Sequence, residues 1–165
     1  MVVTFGLSQG MPLHALAAVA KDRIASVRVD GMVCYFCSSG IEKVCKLKKL
    51  GKGYSTDLSK GLFNVKLAPA AQIPNPEGFE RIVKGAGFTY RGVQIVVEGK
   101  VIATAQKNVY GLVVPETHQV LQIEPAAGSA RQLAASVNRM VRVTLQGADI
   151  KKNNWQVIAM GRKAQ

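Results

Sequence analysis

Apolar and polar residues alternate through Ile24-Ala25-Ser26-Val27-Arg28-Val29, the two-residue period of a half-buried strand. After the loop that follows, the pattern lengthens. Ser38-Ser39-Gly40-Ile41-Glu42-Lys43-Val44-Cys45 reads as a helix beginning at or near Cys37. Residues 68–78 carry Pro69, Pro74 and Pro76 and are expected to form an extended loop. The alternating period returns in 98–105, 109–114 and 119–123, gives way to a helix-like run over 129–137, and resumes in 140–145 and 155–160. Three strands, a short helix and two strands are the element order of a small five-stranded OB-like barrel. Residues 98–165 are therefore expected to form a mostly β unit around Val101, Leu112, Leu121, Val143 and Val157. That likeness is one of pattern, with no sequence motif behind it.

Composition sets outer bounds. The 165 residues suffice for one domain or two small ones. Hydrophobic residues make up 48%, ample for a core, and 22 Lys and Arg against 10 Asp and Glu leave a net charge of +12. The first twenty residues contain no Lys, Arg, Asp or Glu, and the charged sequence begins abruptly at Lys21. Small residues at Ala15, Ala17, Ala18 and Ala20 fit a cleavage site, so residues 1–20 read as a signal peptide or an extension. Export would make the protein periplasmic or secreted; without cleavage it would be cytoplasmic. No stretch approaches the length of a transmembrane span.

The chemistry concentrates in Gly31-Met32-Val33-Cys34-Tyr35-Phe36-Cys37, a strand-to-helix loop holding two cysteines. Free amide groups and the positive dipole end at a helix start favour thiolate over thiol. Thiolate binds soft metals, so Cys34 and Cys37 form a candidate two-coordinate metal site. The other cysteine, Cys45, and the distant His14 and His118 do not complete a four-ligand zinc set. Ser38 stands where a c-type haem attachment would need histidine. In an oxidising compartment the pair would persist as a disulfide or as a metal complex. No nucleophile elbow, zincin helix or phosphate-cradling glycine loop is found, so the chain is not expected to be an enzyme.

The loop resembles the G-M-x-C-x-x-C metal-binding loop of the heavy-metal-associated domain family, which includes copper chaperones, modules of copper-transporting ATPases and a mercury-binding protein. The resemblance spans residues 22–97. It implies a ferredoxin-like βαββαβ domain, in an α+β chain completed by the OB-like barrel at 98–165. Under it, 53–57 and 61–67 become the central hairpin, 79–88 the second helix with its turn, and 92–97 the last strand. The resemblance implies Cu(I) as the bound ion, with Hg(II) behind it, for transfer or sequestration. Met32 would anchor the loop from beneath and Phe88 would shield the metal. Cys45 takes the place of a core apolar residue. Tyr35-Phe36 departs from the small residues common between the two cysteines.

Other readings stand beside this one. Lys43, Lys46, Lys48 and Lys49 form either a solvated face or a docking surface for an acidic protein partner. The chain would then be an accessory subunit of a larger complex, using both halves to dock. Arg139, Arg142, Lys151, Lys152, Arg162 and Lys163, with Tyr110 or Trp155 stacking on bases, would suit nucleic acid. Trp155 lies in an apolar run and reads as core, and export argues against a nucleic-acid partner.

Overall fold

The computed structural model describes residues 23–147 and 154–162. The signal-peptide reading of residues 1–20 lies outside them, as does the polar hairpin tip that the sequence suggests at Lys151-Lys152-Asn153-Asn154, Asn154 excepted. The elements are β1 (Ile24–Asp30), α1 (Tyr35–Leu47), β2 (Gly51–Asp57), β3 (Leu62–Leu67), α2 (Pro76–Gly85), β4 (Thr89–Ala103), β5 (Tyr110–Val113), β6 (Val120–Pro125), α3 (Ala130–Ala134), β7 (Met140–Gly147) and β8 (Trp155–Arg162).

All eight strands join one sheet in the order β2-β3-β1-β4-β5-β6-β8-β7, and β7 pairs back onto β4. That return closes β4, β5, β6, β8 and β7 into a five-stranded barrel. Every pairing is antiparallel except β6 with β8. The result is a barrel-like β structure compatible with an OB-fold. The five core residues expected for it, Val101, Leu112, Leu121, Val143 and Val157, are all buried, and so is Leu133 of α3.

The expected α+β class, with a ferredoxin-like domain followed by a barrel, is corrected by this architecture. Of the described residues, strand accounts for 45% and helix for 23%, with three α-helices and a closed barrel among them. Strands and helices of the first half follow one another in the anticipated order, but they do not make a ferredoxin-like α+β domain. The reason lies in β4. Sequence reading ended one strand at Val97 and began another at Glu98. In fact the alternation runs on unbroken, with Val93, Ile95, Val97, Gly99 and Val101 turned inward. No proline or turn residue interrupts it. The amino-terminal half of β4 pairs with β1 and its carboxy-terminal half with β5, while β7 lies along the opposite edge from Val93 to Lys100.

Gly99 makes that geometry passable. A side chain there would begin 2.7 Å from the Val113 carbonyl oxygen and 2.8 Å from Leu112 Cγ. Gly147 does the same at the junction of the two halves, where a Cβ would lie 2.6 Å from Pro76 Cγ. Tyr90 donates its hydroxyl to the Gly147 carbonyl at 2.6 Å. Phe79 of α2 meets Trp155 of β8 edge-on, ring centres 6.2 Å apart. Further along, Gln119 holds the 68–75 loop through both the amide and the carbonyl of Ile73, at 2.7 and 2.8 Å. The buried Arg23 donates to the carbonyls of Ala68 and Pro69.

Phe79 and Trp155 are each 1% exposed, so truncating Phe79 leaves a cavity against Trp155. Phe79→Ala is expected to cost about 3–5 kcal/mol in urea unfolding. Fluorescence of Trp155 and the far-ultraviolet dichroism should lose their structure at one shared midpoint. A Trp155 midpoint that stays at the wild-type position would show that α2 does not support the barrel.

Candidate functional site

The β1–α1 loop is built from its ends inward. Asp30, the last residue of β1, pairs with Arg91 of β4 at 2.5 Å. Both side chains are more than half exposed, so the pair fixes position more than it stabilises. Gly31 then turns with φ +88°, a conformation glycine adopts without strain. Met32 drops into the core at 5% exposure. Cys34 is the N-cap of α1. Its Sγ accepts the Cys37 amide at 3.2 Å, the role that serine or aspartate oxygen usually plays.

Cys34 and Cys37 are joined as a disulfide, with Cα atoms 5.2 Å apart. Cys37 packs against the hydrophobic core, along the helix face that also buries Ser38, Ile41 and Cys45. Phe36, in the first turn of α1, and Val33, before Cys34, are turned to solvent. Phe36 is 90% exposed and Val33 83%. Sequence reading flagged Tyr35-Phe36 as unusual but did not anticipate an apolar apron beside the sulfurs. The available signal was a large apolar residue, Phe36, off the helix face that carries Ile41 and Cys45.

Phe88 lies half-buried at the base of the loop. A Cβ on Gly31 would sit 3.7 Å from its ring, and one on Gly40 would sit 4.0 Å away. Gly40 of α1 faces the turn that ends α2, where a Cβ would make ordinary contact with Ala86 at 3.8 Å. In that turn Gly87 has φ +86°, and the Phe88 amide bonds to the Val83 carbonyl. The Phe88 ring thus packs beside Gly31 at the start of the loop.

Cys45 is not brought to the pair. It is 1% exposed, and burial, helped by the Glu42 carboxylate, pushes its thiol up to about 11. A thiol held neutral in the core is a poor metal ligand. Among the described residues, no group of three or more His, Cys, Asp or Glu side chains is placed to hold a metal ion. Any ion would therefore rest on the two sulfurs of Cys34 and Cys37 once reduced.

The lysines divide. Lys43 is exposed midway along α1. Lys46 pairs with Glu42 at 2.5 Å and lies 5.8 Å from the centre of the Tyr54 ring. Lys48 and Lys49 stand past the carboxy-terminal end of α1, exposed, beside a hollow of about 320 Å³ lined also by Leu50, Ala71, Pro74 and Ile82. Helix rise puts Lys46 and the two residues after it roughly 18–22 Å from Cys34. An acidic partner drawn to this end would not thereby sit on the cysteine loop.

The barrel offers little for stacking bases. Trp155 is core, and Tyr110 is half-buried against the same core. Arg142 is paired with Glu98 at 2.6 Å across β4 and β7. Among the described residues no helix is long and apolar enough to cross a membrane. No protein family, curated protein or solved structure matches this chain.

The buried Cys45 thiol has a pH consequence. Its folded value lies above the ordinary 9.0, so the folded state holds the proton more tightly than the unfolded chain. The stability this contributes is complete below pH 9 and is lost as pH rises through about 11. The stability difference between wild type and Cys45→Ala should therefore shrink between about pH 9 and about pH 11 in urea titrations. A difference independent of pH would mean that the thiol is not buried as described.

Proposed function

We propose that the reduced Cys34/Cys37 pair binds a soft metal ion, Cu(I) foremost, for transfer or sequestration. The observation that carries this reading is the N-cap position of Cys34, with its sulfur held by the Cys37 amide at 3.2 Å. A sulfur so placed is stabilised as thiolate by the N–H and by the adjoining helix end. Two thiolates on one turn satisfy an ion that accepts low coordination number and polarizable donors. Both sulfurs lie beside the exposed Phe36 and Val33, so a partner's thiolates have an approach to the same ion. The G-M-x-C-x-x-C resemblance supports the same ion class.

The same apron supports a second reading, in which the loop docks the chain to a larger protein complex and the pair serves as a structural crosslink. The metal content separates the two. Reduced full-length protein titrated with Cu(I) against a chromogenic chelator is expected to take up one ion per chain. The Cys34→Ser/Cys37→Ser double variant should take up none, and Cys45→Ala should match wild type. Absence of uptake by the reduced wild type would remove the metal reading. Loss on Cys45→Ala would make Cys45 a ligand.

A further inference from the structure

The oxidised pair has a chemistry of its own, which does not depend on metal binding. We propose that the Cys34–Cys37 disulfide is redox-active and oxidises a dithiol on a partner polypeptide by thiol–disulfide exchange. A purely structural disulfide crosslinks distant segments and lies away from thiols that would attack it. This one closes a single helical turn, with three residues of separation, and ties no two elements together. It therefore contributes little loop-closure stabilisation that reduction would forfeit.

The surroundings make the two sulfurs unequal. Cys37 packs on the core, whereas Cys34 ends the loop, next to Val33 and close to Phe36, which are 83% and 90% exposed. Both cysteines are partly buried, and attack by an incoming thiolate is assigned to Cys34 Sγ because Cys37 is the one packed against the core. The thiolate forms a bond to Cys34 Sγ as the Cys34–Cys37 bond breaks, and the electron pair leaves on Cys37 as thiolate at the amino-terminal turn of α1. The partner's second thiolate then attacks the partner's own sulfur in the mixed disulfide. That step expels Cys34 as thiolate, which receives the Cys37 N–H. The partner has lost two electrons and two protons. The chain has gained both electrons, and its two thiolates take up protons according to pH. Stabilising Cys34 as a leaving group favours the reduced form of the chain, and so the forward direction. Cys45, 1% exposed, offers no third thiol to divert the intermediate.

The test uses oxidised full-length protein, metal-free and with a copper chelator present. The probe is a synthetic unstructured peptide with two cysteines, mixed under argon and quenched in acid for mass spectrometry. The expected result is a peptide lighter by two hydrogens and a chain heavier by two. Transfer should run about tenfold or more faster than with oxidised glutathione at equal concentration. A second peptide with a single cysteine stops the reaction at the mixed disulfide. Maleimide quenching and peptide mapping should place that peptide on Cys34 and the maleimide on Cys37. Cys45→Ala should behave as wild type, and the Cys34→Ser/Cys37→Ser variant, checked for native dichroism, should transfer nothing. Transfer no faster than from glutathione overturns the proposal, and an adduct on Cys37 overturns the order of attack. Failure here with intact Cu(I) uptake by the reduced protein would leave the metal reading standing, and the converse outcome would leave this one.

Discussion

Everything in this fold hangs on β4 being shared. A strand buried along one side must keep its alternation in step with every neighbour, since a slip of one residue turns its apolar set outward. β4 meets that demand against β1, β5 and β7 together. The slip between Arg28 and Val29 in the β1 pairing absorbs the mismatch at one place, beside Gly92 with φ +145°. Beyond that point Val93, Ile95, Val97, Gly99 and Val101 line the core without a break. The two halves are thus one hydrogen-bonded sheet, and α2 closes over their junction through Phe79 and Pro76.

The same strand positions the cysteine loop. Arg91, at the slip, reaches Asp30 at the loop's entry, and Phe88, one residue before β4, packs beside Gly31. The loop therefore rests on the most constrained strand in the molecule. That suits chemistry that needs two sulfurs in fixed register while the residues around them stay open. Met32 fills the core below, and Phe36 and Val33 remain outside. Scattered exposed apolar residues are ordinary, but these two flank the only reactive sulfurs the described surface offers.

Much of this was legible in the sequence, and the misses have identifiable causes. Strict alternation located β1, β5, β6, β7 and β8, because period-two patterning is a local signal. The barrel core residues followed from the same pattern. What failed was the division at Val97. A resemblance that ends at one residue invites a boundary there, whereas the hydrophobic period passed through it, and the period was the physical evidence. Fold class went wrong with it. At the loop, spacing put the helix start at or near Cys37, whereas α1 begins at Tyr35 with Cys34 as its N-cap; an inward place for Met32 and Cys45 was implied by the resemblance. The separation of Lys48 and Lys49 from the loop could have been read too, since helix rise alone carries them a full helix length away. The role of Gln119 could not, because it acts through Ile73, more than forty residues distant in the chain.

One pair of sulfurs cannot hold a metal and a mutual bond at once, and this exclusion links the two chemistries assigned to the loop. Removing two electrons from the dithiol closes the site to any ion; restoring them opens it. The Cys37 N–H favours charge on Cys34 Sγ in either case, so the feature that readies the pair for a soft cation also makes its disulfide easier to reduce. A bound ion would draw on the reduced form and pull the equilibrium further toward it, by the ordinary linkage between ligand and state. Metal occupancy and thiol oxidation at Cys34 and Cys37 are then opposed by thermodynamic necessity, with no conformational change required of the sheet beneath them.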